Sequence, residues 1–207
     1  MLVLNHYRKT NLNFFFRFIA LELCVASLDQ TFLDPVDPRK YKGPKLPHHS
    51  TIFLQLAEGL EYIHSRNLIH RDIKPGNVLI YVDSTDGKIT MKWADFNLSK
   101  SVIEQETYTM SSGIKGTKCW YAPELLKLIS QFQLSIDRRG TVKSDVYALG
   151  LVFAYLLLNG QHLYGFDDID IANNILADKQ VNIGSKFKIG FEKLQKIITI
   201  WCATESN

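Results

Sequence analysis

Apolar runs and alternation divide the chain into strands near its start and helices beyond. Residues 2–7 and 14–21 carry the β-branched and aromatic residues of two strands, with the polar stretch 8–13 between them. In the second, Phe14-Phe15-Phe16-Arg17-Phe18-Ile19-Ala20-Leu21, Arg17 interrupts a run that would otherwise favour aggregation. Ser27 is a good N-cap, so a short helix is expected to begin there. Between Ser50 and Ser65, Phe53, Leu56, Leu60 and Ile63 recur at the three/four spacing of one core-facing stripe. A short strand, Leu68-Ile69-His70, follows. Asn77-Val78-Leu79-Ile80 and Ile89-Thr90-Met91-Lys92-Trp93 then flank Asp86-Gly87, which is a hairpin signal. Ser144 is expected to cap a helix whose positions 146–158 are apolar almost all round, which demands burial on every side. Two more helices are expected over 168–177 and 191–202, the last with Phe191, Leu194, Ile197, Ile198 and Trp201 on one side.

The polar segments between these elements change the picture at two places. Residues 34–47 hold four of the six prolines together with Arg39, Lys40, Lys42 and Lys45, and read as an extended, solvated loop. His48-His49 after it lacks a third ligand at metal-binding spacing. Residues 98–121 are polar, with Thr107, Tyr108, Thr109, Ser111 and Ser112 ahead of Gly113-Ile114-Lys115-Gly116-Thr117. A loop of that length inside one domain is usually functional.

Composition narrows the function classes. The 207 residues have room for one good core, and 46% hydrophobic with 22% charged residues is ordinary for a globular domain. A formal charge of +3 does not make a nucleic-acid footprint. Cys24, Cys119 and Cys202 form no C-x-x-C pair, which argues for a reducing compartment with neither disulfide framework nor zinc site. The apolar run 14–26 is broken by Arg17 and Glu22 and is too short to span a bilayer, and 149–158 has the length of a core helix. Met1–Thr10 lacks the layout of a signal peptide, so a soluble cytosolic chain is expected.

The candidate chemistry lies in His70-Arg71-Asp72-Ile73-Lys74-Pro75-Gly76-Asn77, with Asp95-Phe96-Asn97 eighteen residues further on. Asp72 and Asn77 fit the H-R-D-x-x-x-x-N pattern, and Asp95 opens a variant of D-F-G. Ala122-Pro123-Glu124 and Ser144-Asp145-Val146-Tyr147-Ala148-Leu149-Gly150 follow in order. In this the chain resembles the protein kinase family. The resemblance implies an α+β, protein-kinase-like fold: residues 1–23 as a remnant of the small lobe, and 24–207 as a helical large lobe, incomplete at its C-terminus.

The resemblance also implies roles. Asp72 would accept the proton of a substrate hydroxyl, and Asn77 and Asp95 would offer hard oxygen ligands to the Mg²⁺ of bound ATP. Lys74 would meet the transferred phosphate and Thr117 would brace Asp72, a Ser/Thr-kinase pattern. Leu21 would be the gatekeeper, the backbone of Glu22 and Cys24 would bond the adenine edge, and Leu79 would belong to the nucleotide site. Arg71 would receive a phosphate added at Thr107, Tyr108, Thr109, Ser111 or Ser112. His70 is expected to pack beneath the loop. A protein substrate, self-phosphorylation and a homodimer are the partners implied. Ile19-Ala20-Leu21-Glu22-Leu23-Cys24 and Gly116-Thr117-Lys118-Cys119-Trp120-Tyr121-Ala122-Pro123-Glu124 look most like the endoplasmic-reticulum stress-sensor kinase/endoribonucleases of the unfolded-protein response.

Three departures from the family pattern qualify this. The first glycine is Gly43, so no Gly-rich loop precedes the hinge, and no V-A-I-K lysine is present. No arginine follows Arg139, so Glu124 is expected to be partly buried without its usual partner. Asn97 replaces a glycine that tolerates positive φ, which would stiffen the element. The leading expectation is a Ser/Thr kinase domain present as a fragment, binding nucleotide weakly, transferring little phosphate and poorly soluble for its exposed strand 14–21. The alternatives are a non-catalytic kinase-like scaffold and the kinase-like half of a dimerising nuclease.

Overall fold

The computed structural model describes residues 22–102, 107–109, 114–130 and 139–182, with backbone alone at 107–109 and 139–140. The strands expected at 2–7 and 14–21, Leu21, Ser111, Ser112 and the helix 191–202 lie outside the described residues. The described residues form four helices and three small antiparallel sheets. The helices are α1 (His49–Ser65), α2 (Pro123–Ser130), α3 (Lys143–Leu157) and α4 (Asp168–Leu176).

One sheet joins β1 (Ala26–Ser27), β3 (Val78–Val82) and β4 (Ile89–Trp93) in the order β1-β3-β4. The Asp86-Gly87 turn closes the expected hairpin, Gly87 taking φ +70, and Val78 pairs with Trp93. Its hold on α1 is polar as well as apolar. Gln55 accepts from the Met91 N–H at 3.0 Å, and the Trp93 indole donates to the Leu56 carbonyl at 3.0 Å. A Cβ on Gly59 would come within 3.0 Å of that indole, so the helix approaches the strand through a missing side chain. Short β2 (Leu68–Ile69) pairs with β5 (Lys100–Ser101), and β6 (Thr107–Thr109) with β7 (Arg139–Thr141). The polar stretch 98–121 is therefore not wholly a loop: it supplies two strand segments and a 3-10 turn at Lys118–Trp120.

The α1 stripe forms at three of its four expected positions. Ile52, Leu56, Leu60 and Ile63 are buried, whereas Phe53 sits on the flank and stacks on Phe153 with centroids 4.3 Å apart. Ser27 caps a 3-10 helix, Leu28–Phe32, as expected. Ser144 does not cap α3: it lies inside the first turn, and its hydroxyl donates back to the Thr141 carbonyl at 2.8 Å.

Helix α3 explains how the core is organised. Its Leu149, Val152 and Leu156 join Leu56, Leu60, Val78 and Ile80 in one buried cluster. Leu151 and Ala154 face a second, with Ile69, Leu125, Leu126, Leu163 and Ile171. Burying each such Leu or Ile is worth about 1.5–3 kcal/mol, so a helix apolar on both faces is the cheapest way to join two clusters. Trp120 packs against both and links the end of the 98–121 stretch to the rest.

Candidate active site

The turn that carries the site is built from its own sequence. Pro75 opens a 3-10 turn, Pro75–Asn77, immediately after Lys74 in extended backbone, and the Asn77 N–H closes it on the Lys74 carbonyl at 3.0 Å. Asn77 is thereby folded back towards Asp72. Its amide nitrogen donates to the Asp72 carbonyl at 2.8 Å and to Asp72 Oδ2 at 2.9 Å. Both partners are acceptors, which fixes the amide orientation and turns the Asn77 oxygen away from Asp72.

Asp72, buried, takes two further bonds. Thr117 donates to Oδ1 at 2.8 Å, and Lys74 Nζ lies 2.8 Å from Oδ2. Lys74 also donates to the Thr117 hydroxyl at 2.7 Å, so four side chains form one closed set. Burial pushes the Asp72 carboxyl up, but Lys74, Thr117 and Asn77 together outweigh it, and it titrates below its ordinary value. These contacts favour the ionised carboxylate and hold both of its oxygens.

Beneath the loop, His70 is fully buried. Its Nε2 donates to the Ala94 carbonyl at 2.9 Å and its Nδ1 accepts from the Asp72 N–H at 3.3 Å, the neutral ring with its proton on Nε2. Burial lowers its pKa, against the pull of Asp145, the Ala94 carbonyl, Asp72 and Asp95. The packing role expected of His70 is what the geometry shows: Phe96 lies against it at 4.8 Å.

The hairpin carries the chain just before Asp95 alongside Asn77. The Ala94 N–H bonds the Asn77 carbonyl at 2.9 Å, and Asp95 follows it with an exposed carboxylate. The left-handed residue in this element is Asp95, at φ 62; Asn97 sits in the 3-10 turn Phe96–Leu98 and has no positive φ. The stiffening expected from Asn97 is therefore overturned, because the conformation that favours glycine falls two residues earlier.

Asp145, which motif order marked but to which no role was given, holds the loop from below. It is buried and accepts from the His70 N–H at 2.8 Å, the Arg71 N–H at 3.0 Å and His64 Nε2 at 3.1 Å. Arg71 needs such a hold, since it is itself left-handed at φ 71. Its side chain lines a small cavity with Lys115, Thr117 and Tyr121. Gly116, at φ +124, lies against the same loop: a Cβ there would come within 2.4 Å of the Arg71 carbonyl, so only glycine admits the approach.

The remaining expected residues are placed as follows. Glu22 and Cys24 run beside the three-stranded sheet, where Val25 N–H bonds the Ile80 carbonyl at 2.9 Å and Glu22 pairs with Lys92. Leu79 lies opposite Ser27 and Lys92 in that sheet. The backbone of Thr107, Tyr108 and Thr109 forms β6. Glu124 is exposed, not partly buried, so the expected desolvation cost does not arise. No group of three or more His, Cys, Asp or Glu suited to a metal exists among the described residues.

A family model described as "Protein kinase domain" matches residues 16–200. The chain belongs to the protein kinase family. It is 36% identical over 163 residues to the human serine/threonine-protein kinase/endoribonuclease IRE2, covering 78% of this chain and 16% of that protein. To the Caenorhabditis elegans serine/threonine-protein kinase/endoribonuclease ire-1 it is 34% identical over 153 residues, covering 72% of this chain and 14% of the other. The Schizosaccharomyces pombe sensor for unfolded proteins in the ER, ire1, is 29% identical over 177 residues, 78% of this chain and 16% of the sensor. The kinase chain thus spans about one-sixth or less of the length of these relatives. No helix among its described residues is long and apolar enough to cross a membrane.

Proposed function

We propose that this chain is the phosphotransfer part of a Ser/Thr protein kinase, moving the γ-phosphate of ATP to a protein hydroxyl. Residues 1–23 would end the small lobe and 24–207 belong to the large lobe. The observation that carries the reading is the closed set Lys74–Thr117–Asp72–Asn77. Phosphoryl transfer asks a protein chiefly to position groups and offset charge. Asp72 orients the attacking hydroxyl and takes its proton, help worth about 10²–10⁴-fold in rate. Lys74, held by Thr117 and Asp72, faces the migrating phosphate.

The donor set suits magnesium: the Asn77 amide oxygen, turned away from Asp72, and the exposed Asp95 carboxylate are hard oxygen ligands. Mg²⁺ would neutralise charge on the ATP phosphates. Glu22 and Cys24 would meet the adenine edge, beside Leu79 in the adjoining sheet. Arg71 and Lys115 line one cavity next to Asp72, two cations towards which a phosphate added in the 107–112 cluster would be drawn. The likeness to kinase/endoribonucleases supports a stress-sensor chain of the unfolded-protein response, its kinase on the cytosolic face of the endoplasmic reticulum, acting on itself or on a protein substrate and as a homodimer.

The test is ATP binding and phosphotransfer by the 207-residue chain and its Asp72→Asn and Asp95→Ala variants. Expected are weak Mg²⁺-dependent binding, lost in Asp95→Ala, and a fall of about 10²-fold or more in any transfer on Asp72→Asn. Binding that ignores both magnesium and Asp95 would overturn the proposal and favour a non-catalytic scaffold.

A further inference from the structure

Thr117 is the member of the Asp72 set that comes from outside the turn 72–77, so its hydroxyl depends on backbone placed elsewhere. The peptide unit on each side of it is held by a residue of the turn that follows. On the C-terminal side the Trp120 N–H donates to the Thr117 carbonyl at 2.9 Å, and Trp120 packs against both core clusters. On the N-terminal side the buried Tyr121 donates its hydroxyl to the Gly116 carbonyl at 2.9 Å. That carbonyl belongs to the peptide bond whose nitrogen is Thr117's own.

Gly116 cannot hold itself there. At φ +124 it takes a conformation open to glycine, and it has no side chain to pack. It lies between two surfaces: a Cβ on it would come within 2.4 Å of the Arg71 carbonyl and 2.9 Å of Tyr121 Cε1. The ring keeps the glycine against the loop, and the phenol sets how its peptide is turned. Turning that peptide moves Thr117, whose hydroxyl has one proton to give. The proton goes to Asp72 Oδ1 at 2.8 Å while the oxygen accepts from Lys74 at 2.7 Å. Neither bond survives a displacement of about 1 Å away from its partner. A phenol in a core needs some acceptor, and any would satisfy it. This one takes the carbonyl that governs where Thr117 points.

We propose that Tyr121 is a positioning residue for the phosphotransfer site: its hydroxyl fixes the Gly116–Thr117 peptide so that Thr117 reaches Asp72 and Lys74 together. The role rests on the reading of Asp72 as proton acceptor, but the coupling itself needs neither nucleotide nor turnover. It is tested by NMR on the 207-residue chain and its Tyr121→Phe and Thr117→Val variants. The readouts are the Thr117 χ1 rotamer, from three-bond couplings to its methyl carbon, the Lys74 ammonium signal and amide exchange. Wild type is expected to show a single Thr117 rotamer and a Lys74 ammonium in slow exchange with water. Tyr121→Phe, which keeps the ring and removes one oxygen, averages the rotamers and speeds amide exchange at Thr117 about tenfold or more, with shifts in α1 unchanged. It also broadens the Lys74 ammonium away, as Thr117→Val does. A lowered urea midpoint with the Thr117 rotamer unchanged marks a merely structural phenol and overturns the proposal. So does, in the unaltered chain, a Tyr121 hydroxyl proton in rapid exchange with water and without an NOE to Gly116. Either result leaves the phosphotransfer reading standing, whereas ATP binding that ignores Asp95 sinks that reading without touching the link from Tyr121 to Thr117.

Discussion

Replacing Asp145 by alanine removes the acceptor on which the backbone of His70 and Arg71 rests. Two buried amides, those of His70 and Arg71, lose their partner at 2.8 and 3.0 Å, and His64 loses one at 3.1 Å. Each orphaned buried donor costs about 1–3 kcal/mol, so the pair of amides alone puts the loss at about 2–6 kcal/mol. Part is returned because a buried carboxylate no longer has to be desolvated. A net loss of about 2–5 kcal/mol is a large share of the 5–15 kcal/mol that holds a typical domain together. The Arg71 backbone, left-handed at φ 71, stores about 1–2 kcal/mol of strain that relaxes once the hold is gone. Urea unfolding measures the total, and amide hydrogen exchange at residues 70–72 localises it. Asp145→Asn should fall between the two, keeping one acceptor oxygen. His64→Ala combined with Asp145→Ala should cost less than the sum, because they share one bond. A change below about 0.5 kcal/mol with unaltered exchange at His70 and Arg71 refutes the reasoning.

Two further predictions follow from particular backbone and burial observations. Asn97→Gly should lower stability by up to about 1 kcal/mol, since glycine gains nothing in a 3-10 turn without positive φ; a rise in the urea midpoint would contradict this. His162 is buried against Trp120 at 4.8 Å, and burial pushes it down to about 4. The unfolded chain protonates it near 6.5 and the folded chain does not, so stability falls as pH drops from about 6.5 to 4. His162 alone contributes up to about 3 kcal/mol of that slope, and His70, also lowered by burial, adds in the same direction. Urea midpoints across pH 7 to 4.5 should decline, and less steeply for His162→Gln; a flat wild-type profile would exclude the effect.

What the sequence made legible was what local spacing controls. The Asp86-Gly87 hairpin and helix α1 both depend on residues within one or two turns of each other, and each formed where expected. The α1 stripe differed only at its first member: Ile52 is buried there, and Phe53, expected in that place, is partly buried on the flank against Phe153. Residue type at the site was legible too, since Asp72, Lys74, Asn77 and Thr117 do meet. Asp145 had a place in a motif but no role, because its three donors come from residues more than seventy positions away. Asn97 misled for a related reason. A glycine-like position in a motif says that positive φ occurs nearby, and the backbone put it at Asp95. Ser144 misled because a serine near a helix start bonds either forwards as a cap or backwards, and here it bonds Thr141.

The claim on which the rest depends is that Asn77 and Asp95 face one metal-nucleotide site beside Asp72. Paramagnetic broadening by Mn²⁺ with a non-hydrolysable ATP analogue tests it without requiring turnover. The account predicts signal loss centred on the Asn77 side-chain amide and the backbone of residues 94–97, abolished by Asp95→Ala. Broadening centred elsewhere, or unchanged in that variant, would contradict it.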